Sequence, residues 1–184
     1  MPFATINGIK IHQQIQGSGP ALLMFAPGGF GSTMSRWTAA GGKREFQEMD
    51  GLATLSKHFT TIAYDRREAG LSGGRVEPLD WDLYVLEAKA LLDLTGAKRA
   101  ILLGSCMGVG LALAFAVRHP EACIGLYLHW PVGGYRWMVK GRTFFARHIE
   151  FVRKSGFEAV VKRAPEKGSF WDDPEIGPWG PPTI

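Results

Sequence analysis

A chain of 184 residues, 46% hydrophobic and 21% charged with a formal charge of +4, has the length and composition of one globular domain with a sizeable core. Its basic residues fall in short clusters, Lys43-Arg44, Arg66-Arg67 and Arg153-Lys154, which read as solvated faces and exclude a nucleic-acid stripe. Cys106 and Cys123 are too few for a disulfide framework, no CxxC or Cys/His spacing suggests a metal, Met1-Pro2-Phe3 opens no signal peptide, and every apolar run is too short to cross a bilayer. The expectation is a cytoplasmic protein with no membrane, nucleic-acid, metal or cofactor partner.

In chain order, Thr5-Ile6 and Ile9 to Gln16 flank Asn7-Gly8, whose residues supply the positive φ angles of a tight hairpin. Ala21 to Phe25 is a short continuous apolar run, the pattern of a strand buried on both faces. Glu45 to His58 is helix-like, and Thr60 to Tyr64 is a second buried strand. Pro78 to Leu94 carries Leu83, Leu86, Ala90, Leu91 and Leu94 at helical spacing and stops at Gly96. Arg99 to Leu103 and Cys123 to Leu128 are two further buried strands, with a helix between them that ends near His119-Pro120. Strands alternating with helices predict an α/β fold with a doubly wound, mostly parallel sheet. Residues 1–134 form this core. Residues 135–184 hold two amphipathic helices, Arg142 to Ser155 and Phe157 to Arg163, and from Pro165 to Ile184 an irregular tail rich in Pro, Gly and Trp.

The most informative stretch is Gly104-Ser105-Cys106-Met107-Gly108, between the apolar Ile101 to Leu103 and the helix-like Leu111 to Val117. A strand-to-helix turn this sharp needs small residues two before and two after its apex, whose side chain stands exposed above the sheet. Gly104 and Gly108 meet that demand around Cys106. An apex at Ser105 would put Leu103 and Met107 at the small positions, so Cys106 is the candidate nucleophile. The helix N-terminus that follows favours its thiolate.

Three motifs in this order resemble the α/β-hydrolase family over about residues 3 to 132. They are the elbow, the Ala26-Pro27-Gly28-Gly29-Phe30-Gly31-Ser32 loop after the first central strand, and Tyr64-Asp65-Arg66-Arg67-Glu68-Ala69-Gly70-Leu71-Ser72, similar to the family's Asp-x-Arg-Gly-x-Gly-x-Ser turn. Pro27 stands where the family usually has histidine, Glu68 where it has glycine, and Cys106 where it has serine, a variation that dienelactone-hydrolase-like members share. The resemblance implies an oxyanion hole made by an amide of Gly29 or Phe30 together with that of Met107. It also places residues 135 to 163 where a helical cap is inserted. The family's acid and histidine follow later strands, which the chain does not reach.

His129, after the last strand, is the only histidine expected near the elbow and is the candidate base. Cys123 reads as core, His119 and His148 as structural, His12 and His58 as solvent-facing. Asp65 reads as a brace of its own loop, and Trp130, Tyr135 and Trp137 as core or as lining of an acyl pocket. The leading reading is hydrolysis of a carboxylic ester, thioester or lactone through Cys106, with the chain expected to be incomplete or weakly active by itself. Its sheet edge at Cys123 to Leu128 would then be open to a second copy or a complementing chain. A binding module that holds a small apolar or carbonyl ligand without turnover is the competing reading.

Overall fold

The structure, a computed structural model, describes residues 2–38, 50–75, 77–78 and 80–166. Residues 45–49 of the first expected helix, the Lys43-Arg44 cluster and residues 167–184 of the expected tail lie outside the described residues. By contact the chain divides into two units, Met1–Val132 and Gly133–Ile184.

The first unit is built on a six-stranded sheet in the order β1-β2-β4-β3-β5-β6. β1 (Phe3–Ile6) and β2 (Ile9–Gln16) pair antiparallel across Asn7 and Gly8, both at positive φ. β2 runs antiparallel to β4 (Thr60–Tyr64), which is parallel to β3 (Ala21–Phe25). β5 (Ala100–Ser105) and β6 (Cys123–His129) continue the parallel set beyond β3. This is the mostly parallel mixed sheet that the alternating elements predicted.

Helices cover both faces. On one, α2 (Trp81–Asp93) and α3 (Gly108–Arg118) bury Leu91, Leu92, Leu111 and Phe115 against Leu23, Phe25, Ile62 and Leu102. On the other, Leu52 of α1 (Gly51–Leu55) packs with Leu22, Met24, Ala63 and Leu103. Asp50 and Asp80 cap α1 and α2 by accepting from the amides of Ala53 and Asp82. With cover on both sides, β3 can be apolar at every position, and all five of its residues are buried.

Three expectations are corrected. Arg67, read as part of a solvated cluster, is 1% exposed and donates through Nε to Glu87, which is fully buried on α2, and through Nη1 to Glu77. Burial pushes the Glu87 carboxyl above its usual range, and Arg67 pulls it back. Desolvation lowers the Arg67 guanidinium, but Glu87 and Glu77 more than offset this and hold it above its ordinary value. His12, expected in solvent, is half-buried with Nδ1 2.8 Å from Asp65 Oδ2. β6, whose apolar run reads as a buried strand, has Ile124, Leu126, Tyr127 and Leu128 exposed along it; it is the outer strand of the described sheet, the open edge expected at Cys123 to Leu128. Cys123 is the first residue of this strand and half-buried, packed against the core rather than inside it.

The second unit contains α4 (Tyr135–Glu166), broken at Gly156, where φ 78 and ψ 168 depart from helical values. Gly156 separates the two expected helices, but the first starts at Tyr135 rather than Arg142. His148 is buried, while Tyr135 and Phe157 are largely exposed. No helix of the described residues is long and apolar enough to cross a membrane.

Candidate active site

The parallel strands β3, β4, β5 and β6 end on one edge of the sheet, where the loops after them gather. The elbow stands there. β5 ends at Ser105, α3 begins at Gly108, and Cys106 between them has φ 51, a left-handed conformation that costs a residue with a side chain about 1–2 kcal/mol. The flanking glycines have separate reasons. A Cβ on Gly104 would lie 2.8 Å from Gly108 O and 2.9 Å from Val109 Cα, so the first turn of the helix needs a bare residue there. A Cβ on Gly108 would lie 2.1 Å from Phe25 O and 2.9 Å from Ala26 O. The second glycine thus lets α3 press on the end of β3 and brings the elbow against the 26–32 loop. The small residue at that position answers to a neighbouring strand as well as to the turn.

The Cys106 side chain is half-buried, and its carbonyl accepts from Val109 N at 3.1 Å. Met107 is the N-cap of α3, and at a helix start the first amides have no carbonyl within the helix to pair with.

The glycine loop is held from several sides. Gly28 has φ 109, a conformation that favours glycine, while Gly29 has the left-handed φ 49 and a Cβ on it would meet open space. Gly31 N–H donates to Gly28 O at 2.7 Å in the single turn Gly29–Gly31, and Ser32 Oγ donates to Ala26 O at 2.9 Å. Asp65 braces the loop that follows β4. Its Oδ1 accepts from Met34 N at 2.8 Å, and its Oδ2 from Leu71 N at 3.0 Å, beside the His12 contact. The sequence reading of Asp65 as a brace describes this geometry, although His12 as its partner had no signal in spacing.

His129 ends β6 opposite Ser105 in the β5–β6 register. Its carbonyl accepts from Cys106 N at 3.0 Å, and its Nδ1 is 3.2 Å from Ser105 Oγ. The elbow residues Gly104, Cys106, Met107 and Gly108 and the candidate base His129 are therefore gathered within a few residues of the β5 end. Gly29 and Phe30 sit on the loop of the adjacent strand β3. The serine hydroxyl against the histidine ring was not foreseen, since it depends on a strand register that sequence does not reveal. His119 Nδ1 is 3.4 Å from Glu121 Oε1 at the far end of α3, and His58 is exposed. Trp130, largely exposed with φ 52, and the exposed Tyr135 are not core. Trp137 lies among residues whose side chains are outside the described set.

The model of the alpha/beta hydrolase fold family matches residues 21–148, more than half of the chain. The chain belongs to the α/β-hydrolase fold family. Among curated relatives it is similar to the uncharacterized hydrolase YraK of Bacillus subtilis, 28% identical over 129 residues, covering 69% of this chain and 43% of that protein. Among solved structures it is similar to the enol-lactonase of Burkholderia xenovorans LB400, with TM-score 0.61 and 23% identity over 90% of this chain and 59% of that one. A second similar structure is the esterase RhEst1 of Rhodococcus sp. ECU1013, with TM-score 0.57 and 22% identity over 70% of this α/β-hydrolase chain and 45% of the esterase. The chain thus spans about half the length of the relatives it matches, and its matched part carries the Gly104–Gly108 turn.

Proposed function

We propose that this protein is a hydrolase that opens a carboxylic ester, thioester or lactone through Cys106. The observation that carries the reading is the left-handed Cys106 at the apex between β5 and α3, with Gly104 and Gly108 in contacts that admit no Cβ. An inert cysteine gains nothing from a strained backbone, whereas a nucleophile at a strained apex is lifted clear of the sheet. The enol-lactonase and esterase of similar fold act on this substrate class by their names, which supports the choice of carbonyl substrate.

In the proposed reaction the Cys106 sulfur forms a bond to the carbonyl carbon as its proton passes to His129. The C=O electron pair moves onto oxygen, where the Met107 amide and that of Gly29 or Phe30 receive it. Collapse re-forms the carbonyl, breaks the C–O or C–S bond to the leaving group and returns the proton to it. Water then attacks the acyl-thioester, its proton going to His129, and the C–S bond to Cys106 breaks. Deacylation is the slower half, because water is a weaker nucleophile than thiolate and needs a base to activate it.

p-Nitrophenyl acetate kinetics test this. A burst approaching one nitrophenolate per chain, then slower turnover, both lost in Cys106→Ala, is the expected result. Unchanged turnover by Cys106→Ala would overturn the assignment.

A further inference from the structure

The loop after β3 is not held by its own turn alone. Ser32 N–H donates to Gly29 O at 3.2 Å, and Ser32 O accepts from Arg66 N at 3.1 Å. Met34 N donates to Asp65 Oδ1 at 2.8 Å. The place of the Gly29–Gly31 turn therefore depends on the segment after β4, and above all on Asp65. This residue is 3% exposed, and a buried carboxylate keeps its charge only where partners replace water. The amides of Met34 and Leu71 supply two of those partners, and the side chain of His12 supplies the third.

His12 and Asp65 are joined in three ways. His12 Nδ1 lies 2.8 Å from Asp65 Oδ2, and Asp65 N–H donates to the His12 carbonyl at 2.9 Å. Ser72 Oγ accepts from His12 N at 2.9 Å and donates to Asp65 O at 2.6 Å. The last two routes tie main chain to main chain, and the ring contact acts on the carboxylate itself. Gly70 leaves room for that carboxylate, since a Cβ there would collide with Asp65 Oδ2 and lie 2.9 Å from Thr33 Cγ2.

We propose that His12 is a positioning residue for the oxyanion loop, acting through Asp65; the inference rests on Cys106 as nucleophile and on an amide of Gly29 or Phe30 as oxyanion donor. His12 lies on β2, and β4 and β3 stand between that strand and β5, so the ring does not touch the reacting atoms. A carboxylate only accepts, so the nitrogen that faces it carries the proton. That Nδ1–H holds Oδ2 toward β2 and Leaves Oδ1 on Met34 N. Without the donor, the carboxylate turns more freely about its Cβ–Cγ bond, a broad torsion, and the tether to Met34 loosens. The loop amide then sits away from the oxygen that gains charge. An oxyanion donor acts at about 2.7–3.1 Å, and losing one outright slows reaction about 10²–10³-fold. A displaced donor should cost less, about tenfold.

Two reactions of the same sulfur separate this role from a general loss of structure. Attack on p-nitrophenyl acetate builds an oxyanion, whereas iodoacetamide reacts at a saturated carbon and builds none. In the full chain, His12→Ala should slow the nitrophenolate burst about tenfold and leave iodoacetamide alkylation of Cys106, read by mass spectrometry, within about twofold. His12→Asn should restore the burst to within about threefold, because its amide nitrogen is placed as Nδ1 is, two bonds from Cβ. Nitrogen NMR of the wild-type chain with labelled histidine should show a proton on His12 Nδ1, a measurement that stands even where a variant fails to fold. Equal slowing of both reactions, an unchanged burst in His12→Ala, no recovery in His12→Asn, or a bare Nδ1 at His12 would overturn the proposal. Failure of the nucleophile reading shows separately, as a burst that survives Cys106→Ala.

Discussion

β5 and β6 are neighbours with similar sequences, Ala-Ile-Leu-Leu-Gly-Ser beside Cys-Ile-Gly-Leu-Tyr-Leu-His, yet they have different surroundings. Five of the six β5 residues are buried, whereas Ile124, Leu126, Tyr127 and Leu128 of β6 stand exposed. β5 lies between two parallel partners, with α3 over one face and the Leu52 cluster over the other. Among the described residues β6 has a partner strand on one side only. An apolar run marks a strand but not what covers it, since cover comes from other elements. The reactive end of the sheet joins the two strands: Cys106 leaves the covered one, and His129 ends the open one.

Substitutions can break or sharpen this contrast. Arg67→Ala, on the covered side, should cost most, about 3–5 kcal/mol in urea unfolding, because it strands the buried Glu87 charge. Leu102→Ala on β5 should cost about 2–5 kcal/mol, since Leu102 is fully buried. Gly108→Ala should cost about 1–3 kcal/mol through the contact with Phe25 O and should also slow Cys106 alkylation, as the elbow moves off β3. Leu126→Ala on β6 should cost about 1 kcal/mol or less, because the side chain is 42% exposed. Should Leu126→Ala destabilise as much as Leu102→Ala in the same titration, the edge is covered in solution and the contrast fails. Sedimentation of the wild-type chain and of Tyr127→Lys would then show whether a second copy supplies the cover.

The fold was largely legible because its signals are local. Ala21–Phe25 and Thr60–Tyr64 are strands over the residues their apolar runs mark, and Asn7-Gly8 turns the hairpin. The elbow was legible because Gly104 and Gly108 flank one apex in sequence. What escaped depends on partners distant in the chain. Arg67 looks like a surface charge until Glu87, 20 positions away on α2, faces it. His12 meets Asp65 across 53 positions, and Ser105 meets His129 across 24, through strand register alone. Periodicity reports which face of an element is apolar, and it does not report which buried polar groups pair.

The central claim is that the sulfur of Cys106 carries the acyl group. It is tested most directly by quenching the chain with acid during turnover of an activated ester and locating the added mass on the elbow peptide. The account predicts one acyl group on Cys106, absent in Cys106→Ala and not transferred to Ser105. An acyl group on Ser105, or no adduct on the elbow while ester is still consumed, would contradict it.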